Sequence, residues 1–352
     1  MRVLMVGVNR KTKGGMWTVI ENYLEDKAFC TKTNLIYLPT ATLGSMLNRV
    51  LFTAISYIKI LFTLSIIKVD IVHIHMSERG SVYRKSIVQD MAKWFKCKII
   101  LHLHGATFED WYKDSNKKTQ QYVRNILNKA DKIVILGEYW RTFITSLIEN
   151  EEKIEVIYNA VMIPPENNYN NLSTNLLFLG AVCQRKGIND LLDCINIIRD
   201  KLPNQTKLLI YGVDEDGNIE EKILSNNLNN KVIYKGWLKS SDKPNVFSQI
   251  ALSILPSYNE GLPMTILETM AYGIPNISTN VAAIPEVITA GLDGEIILAG
   301  SVEQLGTAII DLINNDDKRK LFSHNAYENT KFKFSFESHK KYLLSIYEQL
   351  LQ

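Results

Sequence analysis

Cysteine is scarce in this chain, with four in 352 residues at positions 30, 97, 183 and 194. Their spacing makes neither a metal-type pair nor a small disulfide framework, and is that of reduced, mostly buried thiols in a cytosolic protein. An excess of one charge is also missing: 40 Lys and Arg stand against 37 Asp and Glu, a net +3. That balance hides an asymmetry. Residues 1–165 carry 23 basic against 15 acidic side chains (+8), and residues 166–352 carry 17 against 22 (−5). A basic half can attract a pyrophosphate, an anionic membrane or nucleic acid. The charges are scattered and no nucleic-acid module is present, which argues against the last. Two phosphate-binding signatures are absent as well. The segment Gly7 to Met16 has Lys13-Gly14-Gly15 where a P-loop needs Gly-Lys-Ser/Thr, and it lacks the dinucleotide fingerprint. The apolar start Met1–Gly7 is too short for a signal peptide and reads as a first strand.

Long apolar runs are likewise few. The one that approaches a membrane span, Met46 to Ile67, carries Arg49 and Lys59 and is closed by Lys68. A lysine near the middle is costly in a bilayer core. A strand, Asp70–His75, follows at once. The expected reading is a long helix packed on a sheet, with binding to a membrane surface as the alternative.

Elsewhere apolar runs of strand length alternate with helical patterns, which argues for parallel α/β sheets. Strands are expected at 3–8, 70–75, 98–104, 132–136 and 155–158. After the Pro- and Asn-rich segment 162–171, a linker candidate, they resume at 176–180, 207–211, 231–234, 251–255, 276–278 and 295–298. The implied architecture is two Rossmann-like domains with parallel sheets facing a central cleft. Residues 1–163 form the first, residues 164–335 the second.

The richest stretch runs from Pro256 to Pro275. A buried strand precedes it, Glu260 lies in a loop, Pro263 suits the first turn of a helix, Glu268 lies on that helix and Gly273 suits its end. Unpaired N–H groups and the helix dipole make an anion site at the C-terminal edge of a parallel sheet. A phosphate flanked by two hydroxyl-accepting carboxylates describes a sugar nucleotide. Arg185-Lys186-Gly187 leaves another strand end, and a forked guanidinium beside an ammonium suits a diphosphate leaving group.

The Glu260-x7-Glu268 pair, set in Pro-Ser, Glu-Gly-Leu-Pro and Glu-Thr-Met-Ala-x-Gly-x-Pro, resembles the signature of retaining glycosyltransferases of family 4, which have the GT-B fold. Arg185-Lys186-Gly187 resembles that family's diphosphate grip, Gly14-Gly15 its first-domain glycine loop, and His104-Gly105 its His-Gly against the donor sugar. The resemblance implies catalytic roles for His104, Glu260, Arg185 and Lys186. It implies donor contacts from Gly14, Gly15, Gly236, Leu238, Gly261, Leu262, Met264, Thr265 and Glu268 as well. Lys13 and His75 fall on the acceptor side, although His75 reads equally as a core histidine. Trp237 reads either as a core anchor or as a neighbour of the nucleobase. Glu286, in a segment with Ala282-Ala283 in place of the usual glycine pair, is expected to be structural. By analogy with the family, a last helix, 336–352, rejoins the first domain.

The His73/His75 and His102/His104 pairs invite a zinc reading, but no carboxylate or cysteine pattern accompanies them. The family needs no metal or other cofactor, the nucleotide-diphosphate sugar being the donor substrate. The expected activity is retaining transfer of a hexosyl group from a UDP-sugar, or a GDP-sugar, to a sugar acceptor. A basic first half with an apolar helix suits a polyprenyl-diphosphate glycan at the inner membrane leaflet, in a cytoplasmic or peripheral protein. The alternatives are a transferase or phosphorylase acting on a soluble sugar, a sugar-nucleotide epimerase, or a non-catalytic subunit that binds sugar nucleotides.

Overall fold

The computed structural model describes residues 1–12 and 14–352. The chain forms two compact units, residues 1–159 with 336–352, and residues 160–335.

The first unit holds a six-stranded parallel sheet in the order β2-β1-β3-β4-β5-β6. Its strands are β1 (Val3–Gly7), β2 (Ile36–Pro39), β3 (Ile71–Met76), β4 (Lys98–Leu103), β5 (Lys132–Ile135) and β6 (Ile154–Val156). β1 and β3 are buried along their whole length, as continuous apolar runs in a doubly covered parallel sheet should be. Two of the buried positions in β3 are nevertheless histidines. Strand order reverses between β1 and β3, so the loops after these strands diverge and leave a crevice of the kind that receives ligands in open α/β sheets.

The last helix, Phe336–Leu350, belongs to this unit. Tyr347 Oη bonds His73 Nδ1 (2.5 Å), His339 Nδ1 bonds the Tyr158 carbonyl (2.8 Å), and Lys340 pairs with Asp26 (2.6 Å).

The long apolar helix, Met46–Ile66, differs from the covered sheet helix expected. It buries only Ser56, Ile60 and Leu64, a narrow stripe at i, i+4, i+8. Leu47, Leu51, Ile58 and Phe62 share the opposite face and are exposed, Leu47 at 77%. The helix is held at its edges, with Thr53 donating to the Thr40 carbonyl (3.1 Å) and Tyr57 to that of Arg84 (3.1 Å).

The second unit holds another parallel sheet, in the order β12-β11-β10-β7-β8-β9. These strands are β7 (Asn175–Leu179), β8 (Leu208–Tyr211), β9 (Val232–Gly236), β10 (Ile250–Leu255), β11 (Asn276–Thr279) and β12 (Gly294–Ile297). Here the order reverses between β7 and β10, and the loops leaving those two strands carry the Arg-Lys and Glu motifs. The Pro- and Asn-rich segment is no free linker. Tyr169 donates to the Ala251 carbonyl (2.9 Å), Asn167 to Ser323 Oγ (3.0 Å), and Tyr327 to the Pro164 carbonyl (2.8 Å), which strap it to this unit.

Candidate active site

Parallel pairing of β7 with β10 brings two loops 74 residues apart in sequence into direct contact. Arg185 Nη1 donates to the Asn259 carbonyl (3.0 Å), and the Tyr258 N–H donates back to the Arg185 carbonyl (2.8 Å). Tyr258 Oη adds a bond to Asp190 (2.6 Å). Gly187 permits the approach. It adopts φ +72°, and a Cβ there would lie 2.0 Å from the Pro256 carbonyl oxygen.

Lys186 Nζ donates to Glu260 Oε1 at 2.5 Å, and Ser257 Oγ donates to the same oxygen at 2.7 Å. Glu260 is 4% exposed. Thr279 Oγ1 in turn bonds the Ser257 carbonyl (2.6 Å), so β11 braces this loop from the side away from β7. The carboxylate is thus ionically paired and oriented before any ligand arrives. Such preorganised charge serves catalysis in a water-poor site.

The helix Met264–Ala271 follows, with Pro263 as its N-cap at φ −72°, ψ 121° rather than as its first helical residue. The N–H groups of Met264, Thr265 and Ile266 have no intrahelical acceptor, and the first turn has no acidic residue to compete with an anion. Gly261, Leu262 and Met264 are buried, so their backbones rather than their side chains are what this turn offers. Glu268 accepts from Lys243 Nζ at 2.7 Å. Lys243 opens a short helix after β9 and carries no motif, so sequence reading missed it.

Two residues after β9 that were named from sequence divide between core and surface. Leu238 is a core side chain packed with Leu177, Leu209, Phe247, Ile250 and Ile274, which leaves only its backbone for a ligand. Trp237, by contrast, is 45% exposed and is no core anchor. Gly236 ends β9 at φ +70° with its carbonyl taken by Gly212 N–H (2.8 Å). Ala282 holds φ +47°, a conformation that glycine adopts without strain. Glu286 closes a 3-10 turn, Ile284–Glu286.

In the first unit, Gly14 precedes the helix Gly15–Glu25 at φ +145°, with no atom of the described residues beyond its chain neighbours within 4 Å of the place a Cβ would take. No acidic residue lies in that helix's first turn. Lys13 lies outside the described residues. At the end of β3, Glu78 accepts from Thr107 (2.7 Å) and presses against Gly105, where a Cβ would lie 2.1 Å from its Oε2.

His104 follows β4 and shares a hydrogen bond with His75 (Nε2 to Nδ1, 2.8 Å). His75 has no exposed surface, which fits the core reading of the two. His73 and His102 are buried beside it, joined Nε2 to Nδ1 at 3.2 Å. Burial first, then repulsion from neighbouring imidazoles, His104 and His339 among them, holds His73, His75 and His102 far below the ordinary imidazole range, His73 at about 3. Burial and His339 lower His104 in the same direction. His73, His75 and His102 bring one nitrogen each within 4.8 Å of one another. Both nitrogens of His73 are engaged, so an ion there would have to displace its bond to Tyr347 or to His102.

Two family models match consecutive parts of the chain. Residues 25–163 match Glycosyltransferase Family 4, and residues 163–329 match Glycosyl transferases group 1. An uncharacterised 41.2 kDa protein in the cps region of Klebsiella pneumoniae is 29% identical over 314 residues, 83% of this chain and 85% of that protein. The capsular polysaccharide biosynthesis glycosyltransferase CapM of Staphylococcus aureus is 26% identical over 68% of this chain and 61% of its own length. The crystal structure of Anabaena HepE in complex with UDP-glucose superposes with a TM-score of 0.77 at 16% identity, covering 99% of this chain and all of that one. With consecutive family models spanning residues 25 to 329 over two parallel six-stranded sheets, the chain is a glycosyltransferase enzyme of group 1, family 4, with the GT-B fold.

Proposed function

We propose that this glycosyltransferase moves a hexosyl group from a UDP-sugar to a lipid-linked glycan in surface-polysaccharide assembly, with retention at the anomeric carbon. The observation that carries the reading is the Lys186–Glu260–Ser257 cluster beside the Met264 helix, whose first N–H groups have no intrahelical acceptor or side-chain cap. Arg185, Lys186 and those N–H groups receive the diphosphate, and Glu268 accepts from the ribose hydroxyls. Glu260 accepts from hydroxyls of the transferred sugar, and His104 turns its free ring edge to a sugar oxygen.

In the reaction, the bond between the anomeric carbon and the β-phosphate oxygen breaks. The acceptor oxygen bonds that carbon on the same face, and its proton passes to the departing phosphate. Positioning and charge stabilisation supply the acceleration, with no side-chain nucleophile. The uridine preference draws support from the UDP-glucose complex of HepE, and the polysaccharide role from the cps-region protein and CapM.

A membrane-surface location is favoured by the exposed apolar face of the Met46–Ile66 helix, flanked by exposed Arg49, Lys59 and Lys68. A soluble protein seldom leaves so many large apolar side chains together in water, and the cations suit anionic headgroups. Two measurements test the reading. Release of UDP or GDP from UDP-glucose, UDP-galactose, UDP-N-acetylglucosamine and GDP-mannose should be seen with one UDP-sugar and survive EDTA; turnover of GDP-mannose alone would overturn the uridine assignment. Liposomes containing anionic lipid should sediment the wild type and release the Ile58→Glu/Phe62→Glu variant. Equal sedimentation of both would remove the helix from the account.

A further inference from the structure

We infer that His75 is a positioning residue which fixes the tautomer of His104, so that His104 presents a protonated Nδ1, a hydrogen-bond donor, toward its ligand.

The inference starts from the two rings. Their centroids are 5.0 Å apart and their planes differ by 24°. With Nδ1 of His75 and Nε2 of His104 at 2.8 Å, the bond runs close to the ring planes, edge to edge. Both histidines are held neutral, so the bond contains a single proton and one of two arrangements obtains. In the first, His75 Nδ1–H donates, His104 Nε2 accepts, and the remaining proton of His104 sits on Nδ1. In the second, His104 Nε2–H donates, His104 Nδ1 is bare, and His75 must carry its own proton on Nε2.

The environment of His75 Nε2 decides between them. That atom is buried and has no hydrogen-bond partner among the described residues. A buried N–H without an acceptor is rarer in folded proteins than an under-used acceptor. The second arrangement requires such an orphaned N–H. The first leaves only an unused lone pair, and is therefore the one selected. The backbone holds the rings in place for it: β3 and β4 pair His75 with His102, and the His104 N–H donates to the Met76 carbonyl (2.8 Å). No other described residue bonds the His104 ring, so its Nδ1–H is left for substrate.

The chemical consequence rests on the sugar-transfer reading above. A neutral imidazole that donates at Nδ1 binds a sugar hydroxyl or ring oxygen as an acceptor. The opposite tautomer meets the same oxygen with a lone pair and repels it unless a hydroxyl turns. His75 thereby governs which polar pattern the transferred sugar must show, without touching it.

The test uses the full chain with 15N-labelled histidine. Long-range 1H–15N correlation at pH 7.5 should show His104 protonated at Nδ1 and bare at Nε2, assigned by its loss in His104→Gln. His75→Leu should move His104 toward the Nε2-protonated form. In His75→Asn the amide N–H replaces the ring donor and should keep the wild-type tautomer. Turnover of the fastest-hydrolysed sugar nucleotide should fall at least tenfold in kcat for His75→Leu with little change in KM, and stay within about threefold for His75→Asn. A wild-type His104 protonated at Nε2, or a tautomer indifferent to His75→Leu, overturns the inference. A shifted tautomer with unchanged kcat removes its catalytic consequence. Absence of any turnover in the wild type would defeat the sugar-transfer reading and leave the tautomer result to stand or fall alone.

Discussion

Lys186→Met should lower turnover of the sugar nucleotide by about 10²–10³-fold, the loss typical of deleting one preorganised group that stabilises transition-state charge. The same change should destabilise the 160–335 unit, because it strands a buried carboxylate. Lys186 and Glu260 are 13% and 5% exposed and meet at 2.5 Å. Breaking such a pair from one side costs about 3–5 kcal/mol, whereas replacing both charges by neutral groups costs much less. The double variant Lys186→Met/Glu260→Gln separates the two effects. Ser257 can still donate to the glutamine oxygen, so the thermal midpoint should recover most of its loss. Turnover should not recover, since the diphosphate still lacks its ammonium. Thermal melts and nucleoside-diphosphate release on the three proteins check this. A double variant that regains both stability and turnover would show that Lys186 serves folding only.

That ion pair also marks where sequence reading stopped. Arg185, Lys186, Glu260 and Glu268 were legible because each sits in a dense local pattern after a strand. Their pairing was not, because it depends on β10 returning beside β7, a contact between residues 74 apart. Lys243, the partner of Glu268, lies in the unremarkable run Lys239–Asn245 and shows itself only once β9 and the Met264 helix are placed. The burial of Leu238 was not legible for a related reason. Its neighbours Gly236 and Trp237 are accessible features of a strand end, but the next residue turns into the core.

Strand existence was easiest to read where burial is complete, as in β1, β3 and β10. β2 was missed. It has four half-buried residues, ends on Pro39 and lies at the sheet edge, so neither a long apolar run nor a clean alternation marks it. The apolar helix shows the converse. Its composition satisfies a core helix and a membrane-facing one equally, and only the position of Ser56, Ile60 and Leu64 against the fold reveals that most of its surface is left uncovered.

The buried imidazoles give the other large expected effect, on stability rather than rate. Five of the six histidines, His73, His75, His102, His104 and His339, belong to the first unit, and each is held below its ordinary range by burial, His73 at about 3 and His339 at about 4. A group whose folded value is depressed binds its proton more readily when unfolded. The stability of the neutral form is therefore complete above about pH 6.5 and drains away as pH falls toward the folded values. Each pH unit below that point costs about 1.4 kcal/mol per group. At pH 5 the figure is about 2 kcal/mol for each fully buried ring, and three such rings remove about 6 kcal/mol, a large part of a typical domain's stability. The thermal midpoint of the first unit should fall by about 15 °C or more between pH 7.5 and pH 5.0. The second unit, with exposed His324 as its one histidine, should change little, and raised Asp293 acts in the opposite direction as pH falls. Four of the five tryptophans, at 17, 94, 111 and 140, lie in the first unit, so fluorescence melts report it selectively. Asp26, whose carboxyl is lowered by Lys340 and backbone N–H groups despite burial that raises it, loses its contribution only further down the acid range. A midpoint flat from pH 7.5 to 5.0 would mean that these histidines accept protons without the unit opening, and that their rings are not held neutral by the fold.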